Sequence, residues 1–384
     1  MNINFVRKNN NMAGVSCIGE NVLEIYRTNR RVRSFYTALN YDPEKNTITE
    51  ISPEIKKFDI ISVQNCIYNT ESFYFATYKR LNNDMLLFTV FMYSFSDTAV
   101  CKVLEFKKKS AVLEKRNKIK IFILNSSNIL VQDEIFTPED ADYLMGIITF
   151  ELTLYNTDSG EGMPVEIPDL KNNGINNIIP ISEKKLMVKT GYSFIEDARL
   201  NKLSEKESLI ESIYLTSAAQ FIADMSLNSG TGNMELIETS YFDKCMVSPI
   251  IRDDFIYYIV VDIVNECVDM NFFNFKTRER YKYKLIEDDR GEKNTPMVIC
   301  NTPYVRIKED GQEYFMNLVK GSKDMAFMDE SCICALGSLL LFSKTRRGRE
   351  YLRIYSYPRL KLLCEQQCSF SAGCYKDDEY YIYI

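Results

Sequence analysis

Residues 58–106 read FDIISVQNCIYNTESFYFATYKRLNNDMLLFTVFMYSFSDTAVCKVLEF and contain four short runs of β-branched and aromatic residues. The runs cover residues 59–66, 72–78, 85–93 and 100–106. Turn-forming residues such as Asn82-Asn83-Asp84 separate them, and this alternation is typical of strands joined by hairpins. The stretch therefore predicts a four-stranded antiparallel unit.

The four-strand pattern recurs along the whole chain of 384 residues. It can be laid over residues 14–52, 58–106, 119–167, 175–239, 245–286, 295–330 and 332–367. Two further strands follow at 369–375 and 380–384, and one strand at 3–8 opens the chain. Four strands in each repeat match a propeller blade. We predict an all-β fold, a single β-propeller over residues 1–384 with seven or eight four-stranded blades, and a ring closed by the N- and C-terminal strands.

The hydrophobic pattern separates a propeller from a β-sandwich. Inner strands such as residues 85–91 and 255–260 are apolar on both faces, whereas fourth strands such as 102–106 alternate. A sandwich strand has one wet face and should alternate throughout. The change from apolar inner strands to alternating outer strands favours blades that are covered on both faces and exposed to solvent at the outer edge.

Cysteine placement agrees with this repeat. Of eleven cysteines, seven fall in predicted first strands, nearest the axis: Cys17, Cys66, Cys245, Cys300, Cys332, Cys334 and Cys374. We interpret them as reduced, buried, small apolar side chains. An alternative is coincidence, since cysteine favours buried strands in any case.

One segment breaks the strand pattern. Residues 193–228 are predicted to form a mainly helical insertion between the second and third strands of the fourth blade. Ser204 and Glu207 have capping-box spacing. A mostly apolar stripe then recurs at helical spacing, at Ile210, Ile213, Tyr214, Ser217 and Phe221. A shorter helical turn is expected at 137–140. The insertion either packs on the disc, caps the channel or meets another chain.

The chain contains no histidine and no tryptophan. Catalytic triads with histidine and histidine zinc sites are therefore excluded. The spacing of Cys332, Cys334, Cys364, Cys368 and Cys374 does not fit a zinc ribbon, and adjacent carboxylates such as Asp253-Asp254 belong on turns. We predict no metal and no cofactor.

The net charge of −6 disfavours nucleic acid as a partner. No apolar stretch is long enough to span a bilayer, and the first residues lack the apolar core of a signal peptide. We therefore expect a cytoplasmic protein without a membrane contact. Its oligomeric state is left open.

Charged residues are unevenly placed in the connections between second and third strands. Basic residues occur near the predicted seam, at Arg30, Arg31, Lys79, Arg80, Arg346, Arg347 and Arg349. Acidic residues occur in the third and fourth repeats, at Asp133, Glu134, Glu139, Asp140, Asp142, Glu196, Asp197, Glu205, Glu207 and Glu211. In a closed ring this arrangement predicts one bipolar loop face, which would orient a charged partner.

The layout resembles the β-propeller superfamily over essentially the whole chain. The Gly-His and Trp-Asp signatures of WD40 repeats, the paired glycines of kelch repeats and the tryptophan of the Asp-box are missing. The resemblance therefore implies a fold and no activity.

We interpret the chain as a non-catalytic interaction scaffold that binds a protein partner through the bipolar face. The alternative is an enzyme or a glycan-like small-ligand binder that uses carboxylate, Tyr, Lys and Arg side chains in the axial channel.

Overall fold

The computed structural model describes the chain in segments. They are residues 2–6, 12–18, 21–28, 31–42, 47–50, 59–64, 72–94, 96–97, 99–113, 117–138, 146–170, 174–191, 211–241, 244–247, 249–262, 264–285, 296–309, 312–327, 331–370, 372–376 and 379–384. Between residues 12 and 64 the description covers the backbone. The chain divides into a continuous unit, Asn9–Thr239, and a discontinuous unit, Met1–Lys8 with Ser240–Ile384.

Strand β1 (Asn2–Val6) opens the chain and belongs to the discontinuous unit. The continuous unit then contains sheets 1 to 4. Sheet 1 comprises β2 (Met12–Ile18), β3 (Asn21–Thr28), β4 (Arg31–Asp42) and β5 (Thr47–Glu50). Sheet 2 comprises β6 (Asp59–Gln64), β7 (Ser72–Arg80), β8 (Met85–Ser94) and β9 (Ala99–Lys109). The Val32–Ile60 pair joins β4 to β6, so sheets 1 and 2 are two halves of one continuous eight-stranded sheet.

The next two sheets complete the continuous unit. Sheet 3 comprises β10 (Lys118–Asn125), β11 (Asn128–Pro138), β12 (Gly146–Asn156) and β13 (Gly162–Val165). Sheet 4 comprises β14 (Ile175–Ser182), β15 (Lys185–Thr190), β16 (Glu211–Ser217) and β17 (Glu235–Ser240). Helix α1 (Ala218–Ser226) lies between β16 and β17. Short 3₁₀ turns occur at Ser110–Leu113, Pro168–Leu170 and Thr231–Asn233.

The discontinuous unit contains sheets 5 to 7 and a terminal sheet. Sheet 5 comprises β18 (Lys244–Met246), β19 (Ile250–Arg252), β20 (Phe255–Asp262), β21 (Cys267–Asn274) and β22 (Arg280–Leu285). Sheet 6 comprises β23 (Pro296–Ile299), β24 (Thr302–Glu309), β25 (Gln312–Asn317) and β26 (Ser322–Phe327). Sheet 7 comprises β27 (Ser331–Leu336), β28 (Leu339–Arg346), β29 (Arg349–Ser356) and β30 (Lys361–Gln366).

The terminal sheet joins the two ends of the described chain. It comprises β31 (Ala372–Lys376), β32 (Glu379–Tyr383) and β1, in the order β1-β32-β31. Strand β1 runs parallel to β32, with Ile3 opposite Tyr380 and Phe5 opposite Ile382. The expected sharing of one sheet by the N- and C-terminal strands is confirmed.

The strands of sheets 1 to 7 follow chain order, whereas in the terminal sheet β1 pairs parallel with β32. The predicted repeats therefore correspond closely to the observed sheets, as residues 58–106 do to sheet 2. In sheet 5 the first strand is split, because β18 and β19 both pair with β20. The all-β class and its four-stranded units are confirmed.

Sheets 2 to 4 of the continuous unit, and sheets 5 to 7 with the terminal sheet of the discontinuous unit, pack face to face in chain order. In the continuous unit, Phe88 and Phe106 of sheet 2 share a core with Ile129 and Tyr155 of sheet 3. The rings of Phe106 and Tyr155 stack at 4.9 Å between centroids. Sheets 3 and 4 share a second core that includes Phe122 and Leu186.

The discontinuous unit repeats this packing. Phe272 of sheet 5 packs with Val305 of sheet 6. The Phe315 ring of sheet 6 meets the Phe342 ring of sheet 7 edge-on at 6.1 Å. Sheet 7 and the terminal sheet share the core of Leu341 and Ile382. Each interior sheet is thus apolar on both faces, and a buried side chain of this size contributes about 1.5–3 kcal/mol.

The expected gradient of burial is confirmed in the part of the chain with described side chains. Residues 72–77 of β7 are all buried, and residues 339–342 of β28 are too. The outer strands β9 and β30 carry mainly exposed or partly exposed side chains. Neighbouring sheets cover the inner strands, whereas solvent reaches the fourth strands.

The helix differs from its prediction in extent and position. Ile213 and Tyr214 belong to strand β16, which pairs with β15 over residues 212–217. The segment forms a strand and not a helix, because Ile213 and Leu215 are buried on one face with the two-residue period of a strand. The helix starts after Ser217, whose side chain caps it by accepting a hydrogen bond from the Gln220 amide at 3.0 Å.

The helix therefore lies between the third and fourth strands of sheet 4, and the prediction of a place between the second and third strands was wrong. Phe221 and Met225 bury its apolar side in the core shared by sheets 3 and 4. Ser204, Glu207 and Ile210 lie outside the described residues. None of the described helices is long and apolar enough to cross a lipid bilayer.

Two smaller expectations also fail. Thr137 and Pro138 end strand β11 where the helical turn was expected to begin, and the rest of that turn, residues 139–140, lies outside the described residues. Cys300 lies in the exposed turn after β23, with a φ of 49°, and not in a first strand. Cys17, Cys245, Cys332, Cys334 and Cys374 do lie in first strands or in the inner strand of the terminal sheet, whereas Cys66 is outside the described residues.

Candidate interaction surfaces

The hairpin between β28 and β29 presents arginines at its tip. Arg347 and Gly348 form the two-residue turn, with φ values of 50° and 72°. Positive φ at both central positions is the geometry of a type I′ turn, whose twist matches that of the strands. Arg346 and Arg349 flank the turn as directly opposite residues. Because the turn is tight, three guanidinium groups emerge from four consecutive residues.

The register brings further cations to the same face of sheet 7. Directly opposite residues of an antiparallel pair point to the same side of the sheet. The aligned pairs are Lys344 with Tyr351, Arg346 with Arg349, and Phe342 with Arg353. We call the set Lys344, Arg346, Arg349, Tyr351, Arg353 and Tyr355 the arginine face. It continues the surface on which Phe342 packs against sheet 6.

One carboxylate, Glu365 of β30, contacts this face. Its Oε1 lies 3.1 Å from Arg346 Nη1, and its Oε2 lies 2.9 Å from Arg353 Nε. The Arg346 guanidinium lies 5.8 Å from the centroid of the Tyr351 ring, and the Arg353 guanidinium lies 5.3 Å from that of Tyr355. Such contacts with aromatic rings restrict the orientation of the two guanidinium groups.

Arg347 and Arg349 are exposed and have no ion-pair partner among the residues that the structure describes. The nearest carboxylate in sequence, Glu350, points to the other face. It accepts hydrogen bonds from the Ser369 hydroxyl at 2.6 Å and the Ser343 hydroxyl at 2.9 Å. These two bonds lower the pKa of Glu350. The positive charges of Arg347 and Arg349 therefore face solvent.

A second basic group lies at one end of sheet 2. Lys79 and Arg80 are exposed at the end of β7, as expected for a connection. Lys79 is aligned with Leu87, and Leu87 with Lys107, across three neighbouring strands. Lys107 and Lys109 are also exposed. We call Lys79, Arg80, Lys107 and Lys109 the lysine edge.

The predicted basic residues thus fall into separate groups. Arg346, Arg347 and Arg349 lie together in the discontinuous unit, and Lys79 and Arg80 lie together in the continuous unit. Arg31 is the first residue of β4, where the backbone alone is described, and Arg30 is outside the described residues. A single basic arc formed by all seven residues stays a prediction.

Three members of the predicted acidic arc are not on connections. Asp133 and Glu134 lie in β11 and Glu211 begins β16, and all three are buried. Their partners are Lys108, Lys120 and Lys189. The carboxylates are therefore neutralised inside the fold and present no acidic surface, which corrects this part of the prediction. The other seven acidic residues lie outside the described residues.

The most buried of these ion pairs is Lys189 with Glu211. Their side chains are 1% and 3% exposed, and the charged atoms are 3.0 Å apart. Lys189 lies in β15, opposite Ile213 of the neighbouring strand. Sequence reasoning placed Glu211 on a charged loop because it missed the start of β16.

Sequence reasoning also missed several residues of the two surfaces. Lys107 and Lys109 belong to the run Lys107-Lys108-Lys109, which was visible but lies in a fourth strand. Arg349, Tyr351 and Arg353 have the two-residue period that places side chains on one face of a strand. That period was a usable signal for the arginine face. The contribution of Glu365 had no sequence signal, since it depends on the β29–β30 register.

A cleft of about 300 Å³ lies beside sheet 3 in the continuous unit. Its polar lining includes Gln132, Thr153 and the exposed Glu151 and Glu166. The Gln132 amide is already hydrogen-bonded to the backbone of Ile175. Within the described chain, no three Cys, Asp or Glu side chains lie close enough together to hold a metal ion.

No protein-family model matches the sequence, and no curated protein matches it. Among solved structures, the chain is similar to an uncharacterised protein from Listeria monocytogenes EGD-e. The TM-score is 0.48, the identity is 11%, and the match covers 94% of this chain and 97% of the other.

A prolyl endopeptidase structure is similar with a TM-score of 0.48 and 8% identity. That match covers 92% of this chain and 48% of the endopeptidase, so the chain spans about half of its length. An ACO/RPE65 chimera is similar with a TM-score of 0.42 and 9% identity, covering 98% of this chain and 74% of the chimera. Within each unit, four-stranded antiparallel sheets of the kind that form propeller blades follow one another along the chain.

Proposed function

We propose that the chain is a non-catalytic interaction protein that binds an acidic segment of a protein partner on the arginine face. The observation that carries the proposal is the alignment of Arg346 and Arg349 on one side of sheet 7, next to Arg347, because the exposed Arg347 and Arg349 have no ion-pair partner among the described residues. Arginine forms paired hydrogen bonds with carboxylates and is well suited to such recognition.

A protein partner fits the charge balance better than a nucleic acid does. The chain carries 53 acidic and 47 basic residues. The net negative charge would repel a long polyanion, whereas a short acidic segment contacts only the arginines. Salt screens contacts between exposed charges, so the interaction should weaken as the ionic strength rises.

The supporting architecture is proposed to be one propeller. Sheets 1 to 7 and the terminal sheet would be successive blades of residues 1–384, and the β1–β32 pairing would close the ring. Face-to-face packing of sheets 2 to 4, and of sheets 5 to 7 with the terminal sheet, supports this proposal. X-ray scattering tests it, since a single compact body of this length has a radius of gyration of about 21 Å. A clearly larger value, with a two-body profile, would contradict it.

The binding experiment uses a fluorescent peptide of eight glutamates and anisotropy. We expect binding to the wild-type protein at about 0.03 M salt and its loss at about 0.3 M salt. The variant R347E/R349E should weaken binding by about tenfold or more, because two attractive contacts become repulsive. Circular dichroism confirms that the variant is folded.

The matched control is R359E/K361E. Arg359 and Lys361 are exposed cations of the same sheet, but they lie at the turn between β29 and β30, at the opposite end of β29 from the hairpin tip. The two double variants change the net charge equally. Equal loss in both would show that binding follows net charge and not the arginine face, and the proposal would fail.

The lysine edge is proposed as a second contact of the same kind. Its cations are Lys79, Arg80, Lys107 and Lys109. The variant K79E/R80E, measured with the same peptide, should reduce binding independently of R347E/R349E. If K79E/R80E binds as the wild type does, the lysine edge is not part of the interaction.

A further inference from the structure

We infer that the arginine face recognises a phosphorylated serine or threonine in the partner's acidic segment, with the phosphate held between Arg346 and Arg349. This inference rests on the proposed function and names the chemistry that the site selects. It starts from the position of the two arginines. They are directly opposite each other beside the turn, and such a pair has Cβ atoms about 5 Å apart.

Like charges placed directly opposite each other destabilise a hairpin. Arg346 is 46% exposed in its side chain and reaches Glu365, whereas Arg349 has no carboxylate partner among the described residues. An anion bound between the two guanidinium groups removes the repulsion. The hairpin is therefore arranged to hold an external anion.

The charge count favours a dianion. Arg346, Arg347 and Arg349 place three positive charges at the hairpin tip, and Glu365 contacts one of them, Arg346, among the described residues. A phosphate monoester carries about 1.5 to 2 negative charges at neutral pH and therefore offsets most of this positive surplus. A carboxylate or a phosphodiester carries one charge and leaves part of this surplus unbalanced.

The site is also held in place before a ligand arrives. Arg346 lies over Tyr351 and Arg353 lies over Tyr355, and Glu365 contacts both arginines. Less side-chain freedom is lost on binding when guanidinium groups are already oriented. A phosphate has three acceptor oxygens on its exposed side, which suits two guanidinium groups that approach from opposite strands.

The test uses three peptides that differ only in the central residue of a run of glutamates: serine, aspartate or phosphoserine. We expect the wild-type protein to bind the phosphoserine peptide about tenfold more tightly than the aspartate peptide. In R349Q this ratio should fall to about one. In the control R359Q, at the other end of β29, the tenfold ratio should remain.

The pH dependence gives a second readout. The second ionisation of a phosphate monoester has a pKa of about 6. The advantage of the phosphoserine peptide should therefore shrink as the pH falls from about 7.5 to about 5.5, while the affinity for the aspartate peptide stays nearly constant. A purely structural effect of R349Q would lower the affinity for both peptides equally and leave their ratio unchanged, which would overturn the inference.

The outcomes separate this inference from the proposed function. If aspartate and phosphoserine peptides bind equally, and R347E/R349E weakens both, the phosphate inference is wrong and the proposed function stands. If no acidic peptide binds, both fail. Inorganic phosphate serves as a competitor. If it displaces the phosphoserine peptide at the same concentration as the unlabelled peptide does, the site binds free phosphate. The inference that it recognises a phosphorylated peptide is then wrong.

Discussion

Gln132 and Ile175 exchange two hydrogen bonds between sheet 3 and sheet 4. The Gln132 Nε2 donates to the Ile175 carbonyl oxygen at 2.9 Å, and the Ile175 amide donates to Gln132 Oε1 at 2.7 Å. The Gln132 side chain is fully buried. Its amide group therefore acts as a short strand partner for the first residue of β14 and joins the two sheets.

Replacing this glutamine should be costly. In Q132L both backbone groups of Ile175 lose their partner inside the protein, and each buried unsatisfied group costs about 1–3 kcal/mol. We expect the free energy of unfolding to fall by about 2–4 kcal/mol, as measured by urea denaturation. The exposed Glu151, in the same cleft, supplies the control E151A, which should change it by less than about 0.5 kcal/mol. A near-neutral Q132L would show that water replaces the lost bonds.

The buried pair of Lys189 and Glu211 should behave differently from an exposed pair. K189M leaves the Glu211 carboxylate buried without its cation, and we expect a loss of about 3–5 kcal/mol in stability. K189M/E211L should lose clearly less than the two single variants together, because both charges of the pair are removed. Chemical denaturation of the full double-mutant cycle measures this coupling.

The exposed pair of Lys102 and Glu105 is the comparison. Its side chains are 56% and 38% exposed, so K102M should cost less than about 1 kcal/mol. If K189M and K102M cost the same, the Lys189–Glu211 pair is solvated in solution.

Two glycines with positive φ allow steric crowding to be measured separately from backbone strain. Gly174 has a φ of 58°, and a Cβ atom there would lie 2.6 Å from the Phe150 ring. Gly160 has a φ of 72° and nothing within 4 Å of such an atom. Both alanine variants carry the backbone cost of about 1 kcal/mol. We expect G174A to lose at least about 1 kcal/mol more than G160A in thermal or urea unfolding, since the Phe150 ring must move. Equal losses would mean that the ring moves freely.

The ionisation of Glu350 should respond to two serines in a graded way. The hydrogen bond from Ser369 is the largest cause of the lowered pKa of Glu350, followed by that from Ser343. In S369A the pKa of Glu350 should rise toward its ordinary value, and in S343A it should rise less. Carboxyl-carbon NMR titration measures both changes. The reverse order would contradict the assigned bonds.

The sign of the linked stability change follows from the direction of this shift. Because the pKa of Glu350 is lowered in the folded state, the ionised carboxylate stabilises the fold at pH values above the ordinary glutamate pKa. That contribution is lost as the pH falls through the lowered value. In S369A the free energy of unfolding should therefore depend less steeply on pH in this acidic range. Its dependence on pH near neutrality should change little.

Most of the secondary structure was predictable because strand signals are local. Alternating turn residues and apolar runs located the seven four-stranded repeats, and residues 58–106 correspond to sheet 2 with small differences at the ends. The helix was misplaced because Ile213, Ser217 and Phe221 also fit a helical period. Pairing of β15 with β16 decides between the two periods, and that pairing depends on residues outside the segment.

The candidate site was predictable only in part. The charges of Arg346, Arg347 and Arg349 and the type I′ turn at Arg347-Gly348 follow from the local sequence. The burial of Asp133, Glu134 and Glu211 did not follow, since a carboxylate is read as exposed unless its cationic partner is known. Those partners, Lys108, Lys120 and Lys189, are supplied by strand register.

The sequence by itself determined the all-β class, the repeat of four strands and the basic hairpin tip, because composition and short-range spacing decide strands and turns. The tertiary structure alone decided which charges are neutralised and which remain exposed. It places Glu365 between Arg346 and Arg353 and leaves Arg349 toward solvent. The physical reason is that an ion pair depends on the distance between two side chains, and register and sheet packing set that distance between residues far apart in the chain.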